Sequence, residues 1–277
     1  MMEHHGRIRR SVIAGTWYPG DAKTLRDEIS RYLVMARPTG LPGELMGLIV
    51  PHAGYEFSGA VAAHAYKLLE GLSYEHVIVV SPVHRVYMGA FGVADADYYE
   101  TPLGLVEIDS EMVDALSATI PLSRVERDGE HSLEIQLPFL QHVLGEFSLL
   151  PIMMGDQGLK SCRALADGLV RVIEGRRVLL VASTDLSHYH SYSTAVSLDA
   201  VVQRYVEEFD PEGLATSLAA GECEACGGGP TVSVMLAARS LGATAARVLQ
   251  YANSGDVLGD RSQVVGYLAA GIFGPGA

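Results

Sequence analysis

The chain has 277 residues and a net charge of −13, with 20 basic side chains against 33 acidic ones. That balance excludes a broad nucleic-acid footprint, which needs clustered Lys and Arg, and the short runs Arg7-Ile8-Arg9-Arg10 and Arg176-Arg177 do not supply one. Hydrophobic residues at 48% and charged residues at 19% are enough to build a full core. No apolar run reaches the roughly 18 residues of a membrane helix, and no apolar stretch follows Met1–Arg7 as in a secretory signal. The expectation is one cytoplasmic domain over residues 1–277, with residues 1–10 a flexible N-terminal segment.

Short runs rich in Val and Ile alternate with helical stretches, which predicts an α/β fold: a central, mainly parallel or mixed sheet flanked by helices. The first strand is Leu48–Val50, with a helix over Ser58–Leu69 after it. Val77–Val80 is the second, Ala90–Ala94 another, and Tyr98–Glu107 a β excursion that turns at Thr101-Pro102-Leu103-Gly104. Asp109 N-caps a helix with Glu111 in its first turn. Ser132–Leu144 has helical spacing that Pro138 bends or restarts. Phe147–Met153 is a strand, Lys160–Ile173 a helix holding Cys162 as a small buried residue, and Val178–Ala182 a strand. Helices over Thr194–Phe209, Pro211–Ala219 and Pro230–Leu241 follow, the last with Pro in its first turn. Thr244–Ala252 and Val264–Ile272 close the chain as strands.

Three of these runs end on polar loops that carry histidine: Pro51-His52-Ala53-Gly54-Tyr55, Ser81-Pro82-Val83-His84, and Ser183-Thr184-Asp185-Leu186-Ser187-His188-Tyr189-His190. In open α/β sheets the ligand crevice lies at the carboxyl ends of the strands, so the three loops can meet in one cleft. His52 and His84 are a natural pair of neutral nitrogen ligands, although either alone reads equally as a loop histidine bonded to a backbone carbonyl. Cys226, in Cys223-Glu224-Ala225-Cys226-Gly227-Gly228-Gly229, precedes a helix whose N-terminus would lower its thiol pKa and make it a ligand or nucleophile. Cys223 and Cys226 read alternatively as a redox pair, but with three cysteines in all there is no second pair for a zinc ribbon and no disulfide scaffold. Asp185 and His188, three apart, suit an acid orienting an imidazole. His190 alternates with His188, and His131, at a helix start, either caps the helix or bonds a ligand from behind. His64, His76 and His142 read as packing or surface residues. No Gly-x-Ser-x-Gly elbow supports a hydrolase built on Ser183 or Cys226 with His188 as base.

These blocks, with Gly15-Thr16-Trp17-Tyr18-Pro19, Glu130-His131-Ser132-Leu133-Glu134 and Tyr251-Ala252-Asn253-Ser254-Gly255-Asp256, resemble the Memo family in order from near residue 12 to near residue 272. The resemblance implies a fold similar to class III extradiol dioxygenases and one transition metal ion, iron(II) by family likeness. It implies His52, His84 and Cys226 as ligands, His188 as the acid/base with Asp185 beside it, and His131, Tyr55 and His190 behind them. A thiolate is a soft ligand that suits copper(I) or zinc at least as well as iron. The function implied is a non-haem metal-dependent oxidoreductase acting on a small substrate. The alternative is a binding protein that takes a peptide or partner protein in the same cleft. Prokaryotic members are often encoded beside a radical-SAM protein and a small partner. Gly228 and Gly229 stand where animal relatives tend to carry basic residues, which departs from any phosphopeptide recognition there.

Overall fold

The computed structural model describes residues 6–37, 42–86 and 88–276; His4 and His5 lie outside them. In chain order the strands are β1 (Ile8–Arg9), β2 (Leu45–Val50), β3 (His76–Pro82), β4 (Phe91–Ala94), β5 (Tyr98–Thr101), β6 (Gly104–Ile108), β7 (Ser123–Val125), β8 (Ser148–Met154), β9 (Val178–Ser183), β10 (Asp185–His190), β11 (Ala245–Asn253) and β12 (Val264–Phe273). The helices are α1 (Ala22–Met35), α2 (Tyr55–Tyr66), α3 (Ser110–Ser117), α4 (Leu137–Leu144), α5 (Leu159–Ile173), α6 (Tyr192–Glu207), α7 (Pro211–Ala220), α8 (Gly228–Ser240) and α9 (Ser254–Leu258).

The strands join in one sheet ordered β1-β5-β6-β8-β3-β9-β2-β12-β10, with β11 added to β12 and β4 to β8. From β6 to β2 the neighbours run parallel. These central strands carry continuous apolar runs because both of their faces are covered, and Val77 to Val80 have no exposure at all. β12 runs antiparallel to β2, β10 and β11, which makes the sheet mixed. Helix α2 packs on β2 and β12, and α8 on β9 and β3. Residues Gly228 to Ala238 of α8 are all buried, as expected of a helix apolar on every side.

Register places the site. Val50 pairs with Ser183, and Val80 with Ala182, across parallel neighbours. The carboxyl ends of β2, β3 and β9 therefore stop at one edge, and the chain leaves all three into a common space.

Four local features differ from the sequence reading. Residues Asp185–His190 are not a loop: beyond Thr184 the chain runs on in the same direction as β9, past the end of β2, and pairs as β10 with β12. The stretch 132–144 divides into a 3₁₀ turn, Glu134–Gln136, and α4, with Pro138 in the first turn of α4; proline restarts the helix there because its missing N–H has no partner to lose. Helix α8 begins at Gly228, two residues before Pro230. Within the segment expected to be flexible, Ile8–Arg9 pairs with β5, and Arg9 is buried against Asp128 and Glu134.

Candidate metal centre

His52 leaves β2 through Pro51, and two polar anchors fix it. Its backbone N–H and that of Ala53 donate to Asp185 Oδ1 at 2.8 and 3.3 Å. On the ring, Nδ1 lies 3.0 Å from Ser183 Oγ. Ser183 donates its one proton to the Ser132 carbonyl at 2.6 Å and accepts from Gln136 Nε2 at 2.9 Å. A hydroxyl has a single proton to give, so His52 Nδ1 is the donor in its pair and Nε2 carries the lone pair. Burial, then repulsion from His84 and His188, holds the His52 pKa well below its ordinary value, and the ring is neutral.

His84 follows β3 on a loop held by one carboxylate. Glu130 accepts from the backbone N–H groups of His84, Arg85 and Val86 at 2.9, 2.5 and 2.7 Å. Its Oε2 lies 3.8 Å from His84 Nδ1. Burial alone would raise the Glu130 pKa, but the His84 ring and these amides overcome it and lower the pKa to about 2. An ionised carboxylate behind an imidazole orients the ring and raises its basicity.

His131 is the group whose role the sequence left open, and it stands in the cluster itself. The donor atoms of His52, His84 and His131 all lie within 4.8 Å of one another. Their ring centroids are separated by 5.2, 5.6 and 4.8 Å. Trp17 covers His131 at 4.3 Å between centroids. Burial first, then the two neighbouring imidazoles, lowers the His131 pKa to about 3. Its Nδ1 is buried with no hydrogen-bond partner among the described residues. The segment that carries it is anchored by Glu134, which accepts from Tyr18 Oη at 2.6 Å, Ser11 Oγ at 2.5 Å and the Val12 amide at 2.9 Å.

Cys226 joins from the opposite side: Sγ lies 3.1 Å from His52 Nε2 and accepts from the Asp185 amide at 3.3 Å. The expectation of a lowered thiol pKa is overturned. Burial, then the Asp185 carboxylate, pushes this thiol up. The Asp185 and Gly227 amides pull it down but do not compensate, and the next two amides of α8 are spent elsewhere, Gly228 on the Ala225 carbonyl and Gly229 on Gln157 Oε1.

The remaining predicted residues divide. His188 Nδ1 bonds the Leu186 carbonyl at 2.8 Å; a carbonyl only accepts, so Nδ1 carries a proton, and the residue lines the cleft. Asp185 is raised to about 6, chiefly by burial, and orients the His52 loop rather than His188. Tyr55 does not reach the imidazoles: its hydroxyl donates to the Ile135 carbonyl at 3.0 Å, tying α2 to the His131 segment. His190 Nε2 pairs with Glu224 at 2.9 Å and links β10 to the Cys226 loop. Register shifts on either side of His188, with Tyr189 at φ 61°, turn successive side chains of β10 in different directions. Gln136 and Trp17 escaped the sequence reading, and Ser183 was weighed there only as a nucleophile; Trp17 lies inside a motif quoted above, whereas Gln136 had no signal beyond its neighbours.

The imidazoles line a cavity of about 570 Å³ with Asp185, His188, Trp17, Phe57 and Tyr267. Three imidazoles whose donor atoms lie within 4.8 Å of one another, one with a nitrogen unpartnered among the described residues and a thiol beside another, form a donor set that fits a transition metal ion.

A family model described as Memo-like protein matches residues 9–271. A MEMO1 family protein of Methanopyrus kandleri is 38% identical over 275 residues, covering 94% of this chain and 97% of its own. One from Nitrosopumilus maritimus is 36% identical over 268 residues, covering 94% and 98%. An uncharacterized protein from Escherichia coli, known from its crystal structure, is similar in fold with a TM-score of 0.52 at 14% identity, covering 83% of this chain and 100% of that one.

Proposed function

The chain belongs to the Memo family, and on that premise we propose that its cleft holds one transition metal ion and works as a non-haem oxidoreductase on a small substrate. The observation that carries this reading is the group of three imidazoles with donor atoms within 4.8 Å. His52 and His84 are the ligands whose far nitrogens are backed by Ser183 and Glu130. His131 and Cys226 stand next to them as further donors, so the set holds nitrogen with one sulfur, which suits copper and zinc as well as iron.

A bound ion would supply a Lewis-acidic and redox-active point at the cleft floor. The chain's own residues do the rest. His188, whose Nδ1 donates to the Leu186 carbonyl, takes or returns a proton of the substrate through Nε2, and Asp185 keeps the His52 turn in place. Trp17, Phe57 and Tyr267 wall the cleft with aromatic surface and restrict water around the reacting groups.

The test is elemental analysis of tag-free protein with His52→Ala and His84→Ala. Wild type retains about one equivalent of a transition metal per chain, as a single closed set of donors requires, and each variant loses it. Equal metal content in all three proteins overturns the reading.

A further inference from the structure

Behind the imidazole cleft lies a second, larger chamber of about 830 Å³. His188 lines both spaces. Cys226 lines the second while its sulfur touches His52, which lines the first. The two spaces therefore adjoin along residues already assigned to the chemistry.

The character of the second chamber differs from that of the first. Its wall is built from Leu159, Leu186, Leu218 and Val232 with small residues of α7 between them. Its polar side chains are engaged within the chain. Gln157 gives its amide to the Cys226 carbonyl and accepts from the Gly229 amide, both at 2.8 Å. Thr216 Oγ1 donates to the Glu212 carbonyl at 2.8 Å, and Glu224 pairs with His190 at 2.9 Å. What such a space offers a ligand is apolar surface and shape, whereas lone pairs and a base are concentrated in the neighbouring cleft.

We propose that the substrate has two parts: a polar head that reaches the imidazole cluster, and an apolar tail that passes His188 and Cys226 into the second chamber. This rests on the metal-cleft reading above for the head alone. The tail requires only the chamber. His188 then stands at the junction of head and tail, where its Nε2 can act on a group at the head without the tail blocking the cluster.

The probe is a series of straight-chain alkyl hydroxamates, from acetohydroxamate to octanohydroxamate, titrated calorimetrically into zinc-loaded protein. Burial of each added methylene is expected to tighten binding by roughly fourfold until the chamber is filled. Ala215→Trp, on a half-buried position of α7, and Ala219→Trp, on an exposed one, are expected to flatten that rise by filling the space. If acetohydroxamate binds but affinity is the same along the series, the tail chamber is refuted and the metal cleft stands. If no hydroxamate binds and zinc is not retained, the metal reading fails, and 1-octanol decides the chamber separately. Shifts of the Leu159, Leu218 and Val232 methyl resonances on titration with 1-octanol support it, and unmoved methyls refute it.

Discussion

Ser183 Oγ lies 3.0 Å from His52 Nδ1 and gives its own proton to the Ser132 carbonyl, so one buried hydroxyl decides which nitrogen of His52 faces the cleft. The same hydroxyl accepts from Gln136. It thereby connects the end of β9, the turn after β2 and the segment that carries His131. The elements that carry His52 and His131 are positioned against the end of β9 through this atom.

Ser183→Ala leaves the Ser132 carbonyl, the Gln136 amide and His52 Nδ1 each short of a partner in a site with no exposure. Stability is expected to fall by about 1–3 kcal/mol, the cost of stranded buried polar groups. Metal affinity is expected to fall by about ten- to a hundredfold, as when the partner behind a ligating histidine is lost. Urea unfolding and competition with a chelator of known affinity measure the two. Wild-type affinity in this variant would mean that the ring orientation does not depend on Ser183.

Gly227 shows why glycine follows Cys226. A methyl group there would collide with the Ser183 carbonyl oxygen and with Thr184, and a backbone carbonyl in the sheet has no room to move. Gly227→Ala is expected to push the Cys226 loop off His52, with a loss of about 1–3 kcal/mol from the forced repacking. The rate of Cys226 modification by a small alkylating reagent should rise as its burial is lost. A melting temperature and alkylation rate equal to wild type would show that the loop tolerates the displacement.

Much of this architecture is legible in the chain. Val50, Val80 and Ala182 mark strand ends because strands covered on both faces read as unbroken apolar runs, and the polar residues after them fall at one edge because the strands are parallel. His131 is less legible. It sits on no regular element, and its place depends on Glu134 bonding residues more than a hundred positions away. Spacing cannot reveal such a contact. Cys226 misleads for a related reason: a helix start suggests a low thiol pKa, but burial and the Asp185 carboxylate, brought in by the fold, outweigh the amides there. Thr184 and Asp185 conceal the continuation into a second strand, β10, which pairs with β12, since a run of Ser, Thr, Asp and His carries the composition of a loop.

Asp199 on α6 offers a test of pH dependence outside the three-imidazole cluster. It has no exposure, accepts from the Ser187 amide at 2.9 Å and from Tyr251 Oη at 2.8 Å, and its pKa is raised by burial. A carboxyl whose folded pKa exceeds its unfolded one binds its proton more tightly when folded. Its contribution to stability is therefore greatest below the unfolded value, about 3.9, and is lost as pH rises through the folded value. Asp199→Asn keeps an oxygen for Ser187 and has no such loss. The difference in melting temperature, variant minus wild type, should increase from acid pH to neutral and then level off. A difference that stays flat or falls with pH would contradict the direction of this shift.

Arg9 tests whether the first strand is part of the fold or an ornament on it. Its guanidinium side chain is 5% exposed and bonds Asp128 at 3.1 Å and Glu134, whose side chains are 2% and 0% exposed. Glu134 also gathers Ser11, Val12 and Tyr18, and through them it sets Trp17 against His131. Arg9→Met keeps most of the apolar stem but leaves two buried carboxylates without their cation, a change that costs about 3–5 kcal/mol in buried pairs. The same loss is expected on deleting residues 1–10. If that deletion melts with the wild type, residues 8 and 9 lie on the sheet edge without supporting it, and the seating of Trp17 over His131 must come from Glu134 and Tyr18 alone.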